Sequence, residues 1–276
     1  MLQKISRKIL LVVTFVICIH LMTGCFLDKA ISQSNSDALS DTVESATVGN
    51  NTITNQSESE KEKSISNGHI IVLDAGHQKK DTSEKEPVGP GSSEMKVKDT
   101  SGASGVSSGL REYELNLMVA FKLQEELQKR GYDVIMTRTN SDEEISNIER
   151  AMVANNVNAD AFIRIHANSV DDSNVKGAMT ICQSPNNPYN ANIYNESRRL
   201  SADILDEMVA VTGAKKERVW ETDTMTGINW SQVPVTIVEM GYMSNPGEDM
   251  LMSTDDYQWR IVMGIANGVD RFISGQ

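Results

Sequence analysis

The stretch Ile-Ile-Val-Leu-Asp-Ala-Gly-His, residues 70–77, carries the strongest indication of the fold. Its first four residues form a continuous apolar run, which is typical of a β-strand that is covered on both faces. The run then gives way to polar residues and ends at His77. Three later runs are similarly apolar and are also predicted to be strands: residues 134–136, 161–165 and 235–238.

Helical patterns lie between these runs. From Glu112 to Arg130, apolar residues recur every three to four positions, and Gly131 follows as a typical helix end. Residues 145–156, 198–211 and 257–273 are predicted to be helical as well. Strands that alternate with helices predict a single α/β domain, with a mainly parallel twisted sheet flanked by helices. We place this domain at residues 68–276.

The N-terminus has the pattern of a secretory signal. Three cations among the first eight residues precede an apolar run over residues 9–19. The next segment, Leu-Met-Thr-Gly-Cys, resembles a bacterial lipoprotein processing site, so residues 1–24 are predicted to be removed and Cys25 to be acylated. An uncleaved membrane anchor is the alternative. In both cases the protein is predicted to be exported. In the lipoprotein form, the lipid on Cys25 would hold it at the outer face of the cytoplasmic membrane.

Residues 25–67 are predicted to be a flexible linker, because a polar segment of this kind cannot bury enough apolar area to offset its ordering entropy. The formal charge of −12 makes a nucleic-acid partner a poor fit. Three cysteines, of which Cys18 falls within the signal, exclude a disulfide framework. Residues 78–110 show no periodicity. They are interpreted either as a substrate-facing flap or as a surface insertion.

Three candidate site residues each follow a predicted strand: His77, His166 and Glu239. In open α/β sheets, ligands bind beyond the carboxyl ends of the strands, so these side chains are predicted to meet at one edge. A catalytic zinc ion usually has three protein ligands and one open position. Glu112 and Glu114, at the start of the first long helix, are both candidates for the third ligand, and their spacing does not choose between them.

Several short motifs occur in a fixed order between residues 69 and 273: IVLDAGH (71–77), EYELNL (112–117), Thr137-Arg138, Arg150 with Ala154-Asn155, IHAN (165–168) and VEMGYMSN (238–245). This series resembles the zinc-dependent N-acetylmuramoyl-L-alanine amidases of the type 3 group.

The resemblance implies a function and a set of site residues. His77, Glu112 and His166 would be the ligands of a Zn²⁺ cofactor, and Glu239 the catalytic carboxylate. The implied reaction is hydrolysis of the amide bond between N-acetylmuramic acid and L-alanine in peptidoglycan, by a zinc-activated water with Glu239 as general base. A peptidase acting within the stem peptide and a non-catalytic wall-binding module are the alternatives, and the second would have lost a ligand or Glu239.

Narrower predictions concern single residues elsewhere in the domain. Arg164 stands where the family commonly has a small polar residue, and Gln78-Lys79-Lys80 where it often has glycines. Asp74 is predicted either to orient His77 or to cap the turn after the strand. Further assignments concern Arg138 and Arg150 (holding the fold together), His69 (structural or surface), Cys182 (buried filler), and Trp220 and Trp230 (packing, with contact to sugar as the alternative).

Overall fold

The computed structural model of the protein describes residues 66–275. The predicted signal peptide, Cys25 and nearly all of the predicted linker lie outside these residues. The last two linker positions contact the domain: the Ser66 hydroxyl donates to Asp133 and the Asn67 amide to the Gly131 carbonyl.

A six-stranded sheet forms the centre of the domain. Its strands are β1 (Ile70–Ala75), β4 (Asp133–Met136), β5 (Ala161–Asn168), β6 (Ala178–Cys182), β7 (Lys216–Glu221) and β8 (Val235–Tyr242). They lie in the order β4-β1-β5-β8-β6-β7. All neighbours are parallel except β6 and β8, which are antiparallel. Two short strands, β2 (Lys85–Pro87) and β3 (Met95–Val97), form a separate antiparallel hairpin.

Within the described residues, six α-helices accompany the sheet: α1 (Glu112–Lys129), α2 (Asn147–Asn156), α3 (Tyr194–Thr212), α4 (Thr226–Asn229), α5 (Pro246–Met252) and α6 (Asp255–Ser274). Within residues 66–275, no helix is long and apolar enough to cross a membrane.

The alternation of side chains along each strand divides the sheet into two different faces. On one face, Ile71 and Leu73 of β1 join a large apolar core with α1, α3 and α6. On the other, Val72 packs in a smaller core with α2 and α4. Asp74 follows Val72 by two residues and therefore lies on this second face, as do the polar residues at the ends of β5 and β8. The candidate site consequently occupies the face that has the smaller apolar cover.

The predicted fold class is confirmed. All four predicted strands and all four predicted helices are present, with ends that differ by up to four residues. The hairpin, β6, β7, α4 and α5 were not among these predicted elements, because short segments carry no clear periodicity. Cys182 ends β6, is fully buried, and has a pKa raised to about 11 by burial, which agrees with its predicted filler role.

Candidate metal centre

His77 lies one residue beyond the Gly76 that follows β1, in an unusual backbone conformation. Its φ of +62° is in the left-handed region, which few non-glycine residues occupy and which is found at functional sites. The imidazole Nδ1 lies 3.0 Å from the Thr100 carbonyl oxygen and 3.4 Å from Asp99 Oδ1. These contacts fix the orientation of the ring, and Nε2 then points to Glu112, whose Oε1 is 3.2 Å away.

His166 lies on β5 directly beside the turn that carries His77. A Cβ on Gly76 would come within 2.2 Å of the His166 ring, so only glycine leaves room for this imidazole. The two rings are 4.8 Å apart and nearly perpendicular, at 80°. His166 Nδ1 lies 3.3 Å from Glu112 Oε1. Its Nε2 is buried and has no hydrogen-bond partner among the described residues.

Glu112 is the first residue of α1, and its carboxylate lies between the two histidines. Oε2 accepts a hydrogen bond of 2.8 Å from the Ala103 amide, and Oε1 accepts one of 3.2 Å from the Ala167 amide. Asn116, one helical turn later, donates to Oε1 at 3.4 Å. Glu114 is exposed and accepts a hydrogen bond from the Arg111 amide. Of the two carboxylates that spacing left open, the geometry therefore brings Glu112 to the site.

The ligand atoms that His77, Glu112 and His166 offer lie within 4.8 Å of one another, which is close enough to hold a metal ion. Two imidazoles and a carboxylate are a donor set that suits Zn²⁺ in a catalytic site. In the metal-free protein these groups shift each other's pKa values. Burial lowers the pKa of His77, but hydrogen bonds to Asp99 and Glu112 outweigh it and raise the value to about 10.

His166 and Glu112 respond differently to the same surroundings. The pKa of His166 is lowered, and burial is the largest cause of this shift. Burial opposes ionisation of Glu112, yet hydrogen bonds from His166 and His77 hold the pKa of this carboxyl well below its usual range. Glu112 is therefore a carboxylate at any physiological pH, as a metal ligand must be.

Glu239 completes the group from the neighbouring strand. On β8 it is the register partner of His166 on β5. Its Oε2 atom is buried and has no hydrogen-bond partner within residues 66–275. Burial and, next, the charge of Glu112 raise the pKa of Glu239 to about 8. The structure thus brings together all four residues selected from the sequence: His77, Glu112, His166 and Glu239.

A network of buried ion pairs lies beneath this group. Asp74 Oδ1 accepts from Arg150 Nη1 at 2.7 Å and from the Thr137 hydroxyl at 2.5 Å, and Oδ2 accepts from Arg164 Nε at 2.7 Å. Burial raises the pKa of Asp74, but the charges of Arg150 and Arg164 hold it far below its usual range. Both roles predicted for Asp74 were wrong, since its carboxylate anchors arginines.

Arg138 and Arg150 hold the β1 turn in place, as predicted. Arg138 donates to the carbonyls of Ala75 and Gly76, and Arg150 to those of Ala75 and His77. His69, also as predicted, lies at the surface, where it pairs with Asp160.

The segment 78–110 forms one wall of a cleft of about 280 Å³ that contains His77, His166 and Glu239. Hairpin residues Lys96 and Val97 line it. The hairpin is fixed to the domain by Trp230, whose Nε1 donates to the Pro87 carbonyl at 2.9 Å. This placement agrees with the substrate-facing interpretation of the segment. Trp230 and Trp220 both pack beside the smaller core, as the packing interpretation predicted.

Sequence reasoning missed the residues that orient the site. Asp99 and Thr100, which contact His77 Nδ1, lie in the aperiodic segment, where no pattern marked them. Asn116 donates to Glu112 and also to the Gly76 carbonyl at 3.1 Å, so it links helix α1 to the β1 turn. Its position one turn after Glu112, on the buried face of a helix, was the available signal.

Comparisons with known proteins agree with this geometry. Residues 71–271 match the family model described as N-acetylmuramoyl-L-alanine amidase. YqiI of Bacillus subtilis, an uncharacterised protein, is 28% identical over 206 residues, which are 74% of this chain and 85% of YqiI. LytH of Staphylococcus aureus, a "probable cell wall amidase", is 27% identical over 214 residues, which are 78% of this chain but only 62% of LytH.

A solved structure shows the same architecture. The N-acetylmuramyl-L-alanine amidase Ami1 from Mycobacterium smegmatis superposes with a TM-score of 0.68 at 25% identity, over 76% of this chain and 98% of Ami1. The match to the family model covers most of the chain and includes every residue of the group around His77, Glu112, His166 and Glu239. The chain therefore belongs to the N-acetylmuramoyl-L-alanine amidase family, whose members act on peptidoglycan.

Proposed function

We propose that this protein hydrolyses the amide bond between N-acetylmuramic acid and L-alanine as a zinc enzyme. His77, Glu112 and His166 would hold the metal ion, and Glu239 would transfer the proton. The observation that carries the proposal is the pairing of the His166 and Glu239 positions on adjacent strands, where each side chain has a buried atom without a partner. Burying a polar atom without a partner costs free energy, and a bound ligand can remove this cost by supplying the partner.

The residues present fit a zinc ion. The unpartnered His166 Nε2 and the mutual proximity of the three donor groups are what a metal would satisfy. The outer contacts fit as well, because metal-ligating histidines usually bond a carboxylate or carbonyl through the other ring nitrogen. His77 has both kinds of partner at Nδ1, in Asp99 and the Thr100 carbonyl.

A zinc ion held by these residues would supply a Lewis acid, which would lower the pKa of water to about 7 and polarise an amide carbonyl. Glu239 accepts the proton of the attacking water and delivers it to the nitrogen of the departing L-alanine. Its environment suits this exchange, because a general base works best when its pKa is near the working pH. Burial raises the pKa of Glu239 to about 8.

We further propose that the enzyme works outside the cytoplasmic membrane, tethered through an acylated Cys25. The support is the sequence of residues 1–25 together with the peptidoglycan substrate of the family. The polar linker up to residue 67 would then separate the catalytic domain from the lipid.

Digestion of purified peptidoglycan by the full-length protein, with and without a zinc chelator, tests the proposal. Mass spectrometry should find free stem peptides that begin with L-alanine. Their release should stop with chelator and recover when zinc is restored. Products cut within the stem peptide would instead identify a peptidase, and release that persists in chelator would overturn the zinc assignment.

A further inference from the structure

Two cations line the cleft beside the candidate metal centre. Lys96 comes from strand β3 of the hairpin and Arg164 from strand β5 of the central sheet. The cleft's carboxyl groups already have roles, since Asp99 bonds Arg150 and His77, while Glu239 belongs to the proposed reaction. Lys96 and Arg164 are therefore two cations in this cleft, outside the proposed zinc ligands, that could attract an anionic part of a substrate.

Lys96 forms no ion pair within residues 66–275, and its register partner on strand β2 is Glu86. Its ammonium group donates one hydrogen bond, of 2.5 Å, to the Thr224 carbonyl on the opposite wall. An ammonium group has three donors, so this contact positions the cation and leaves donors available. Thr224 itself lines the cleft, which places the anchored ammonium group at the cleft and not on the outer surface of the hairpin.

Arg164 offers a second open donor. Its side chain is 4% exposed, and it donates from Nε to Asp74 and from Nη2 to Asn147 Oδ1 at 2.6 Å. Nη1 has no hydrogen-bond partner in the described part of the chain. A Cβ on Gly227 would lie 2.2 Å from Nη1, so this glycine allows helix α4 to pass close to the guanidinium. A buried, doubly anchored arginine with one free nitrogen is a preorganised donor for an anion.

The chemistry of the substrate indicates which anion this is. The scissile amide joins a neutral sugar to a peptide, and the free carboxylates of a monomeric stem lie on the peptide side. We propose that Lys96 and Arg164 form a subsite for a carboxylate of the stem peptide, and so determine which stems the enzyme prefers. The inference rests on the proposed function for the direction of the substrate. It concerns residues outside the proposed zinc ligands.

Binding measurements separate this subsite from the chemistry. The full-length, zinc-loaded Glu239→Gln protein is titrated calorimetrically with muramoyl peptides that carry either a carboxylate or an amide at the second residue, and likewise at the C-terminus. Amidation of the recognised carboxylate should weaken binding on the order of tenfold, as expected for one charged hydrogen-bonded contact. The two positions of amidation identify which carboxylate is bound.

Lys96→Met in the same background should remove most of this preference, because it should weaken the binding of the acidic peptide and leave the binding of the amidated peptide unchanged. Lys85→Met is the matched control, because Lys85 is an exposed lysine on strand β2 of the same hairpin and does not line the cleft. It should keep the full preference. Arg164→Lys, checked for an unchanged melting temperature, should reduce the preference while retaining the positive charge.

Two results would overturn the subsite. One is equal binding of acid and amide forms; the other is an equal loss for both forms in Lys96→Met, which would show that Lys96 only ties the hairpin to Thr224. Failure of the proposed function is separately visible. A protein that prefers acidic peptides but releases no L-alanine stems keeps the subsite and loses the amidase. One that releases L-alanine stems but binds acid and amide forms equally keeps the amidase and loses the subsite.

Discussion

Two polar regions meet at the carboxyl end of strands β1 and β5, and they differ in how completely they are paired. Around Asp74, both carboxylate oxygens accept strong hydrogen bonds from arginine or threonine. A short distance away, His166 Nε2 and Glu239 Oε2 are buried with no partner among the described residues. Both regions bury polar groups, but only the first compensates for the cost.

This difference separates residues that hold the site from residues that act in it. The Asp74 network fixes the turn through Arg150, which donates to the carbonyls of Ala75 and His77. The site uses that rigidity to hold two unpaired atoms on the adjacent strands β5 and β8. Rigid support beneath a group of incompletely paired residues is what a binding or catalytic centre requires. Four substitutions or treatments test the contrast.

The largest effect is expected from Asp74→Ala. The change would leave Arg150 and Arg164 buried with one carboxylate fewer, and breaking a buried ion pair from one side costs about 3–5 kcal/mol. Urea denaturation should therefore show a greatly destabilised or unfolded protein. Asp142→Ala, which removes an exposed partner of Lys79, should cost less than about 1 kcal/mol. Similar losses for the two variants would contradict the supporting role of the network.

Glu239→Gln should affect activity while leaving the fold intact. Removing a general base typically lowers the rate about 10²–10⁴-fold, and the glutamine has nearly the same shape. Release of stem peptides from peptidoglycan, followed by mass spectrometry, measures the loss. Glu144→Gln, at an exposed carboxylate paired with Lys80, should be as active as the unmodified protein. A Glu239→Gln enzyme with full activity would assign the proton transfer to another residue.

Addition of zinc should stabilise the protein by giving the unpaired His166 Nε2 atom a partner. A ligand at 100 times its Kd that binds only the folded state adds about 2.7 kcal/mol, which appears as a rise in melting temperature. His166→Ala should abolish the rise, because it removes one of the three donors. Glu114→Gln should retain it, since Glu114 is exposed and directed away from the cluster. Retention of the shift in His166→Ala would place the metal elsewhere.

The smallest effect concerns the pH dependence of the metal-free protein. The pKa of Glu239 is raised from its ordinary value of 4.5 to about 8 in the fold. Between these values the unfolded chain has released the proton while the folded protein retains it, so stability falls as pH rises through this window. Glu239→Gln removes this pH-dependent loss of stability, because glutamine does not titrate. Its stabilisation relative to the unmodified protein, measured by urea denaturation, should be larger at pH 8 than at pH 5, and a constant difference would refute the shift.

The fold and the central part of the site could be predicted because they rest on strong local patterns. Continuous apolar runs marked β1, β5 and β8, and the polar residue after each run marked the edge where His77, His166 and Glu239 meet. The choice of Glu112 over Glu114 came from the family resemblance. In physical terms it depends on the amides of Ala103 and Ala167, which no spacing rule could reveal.

The remaining features depend on contacts between distant segments. Asp99 reaches His77 only because the aperiodic segment folds back along the sheet, and its sequence shows no sign of this. Asp74 was assigned to the wrong partners because its neighbours in the fold, Arg150 and Arg164, are 76 and 90 residues away in the chain. Arg164 differs from the family at its position, and only the fold shows that its Nε and Nη2 atoms bond Asp74 and Asn147.

The burial of Cys182 has a practical consequence. A thiol with a pKa of about 11 is almost entirely protonated near neutral pH, and only the thiolate reacts with alkylating reagents. Because Cys182 is the one cysteine within residues 66–275, a cysteine introduced in the hairpin loop, for example at the exposed Ser93, would be the reactive thiol of the catalytic domain. A fluorescent or spin label there could then report changes in the mobility of the hairpin as substrate binds, without background from the native thiol.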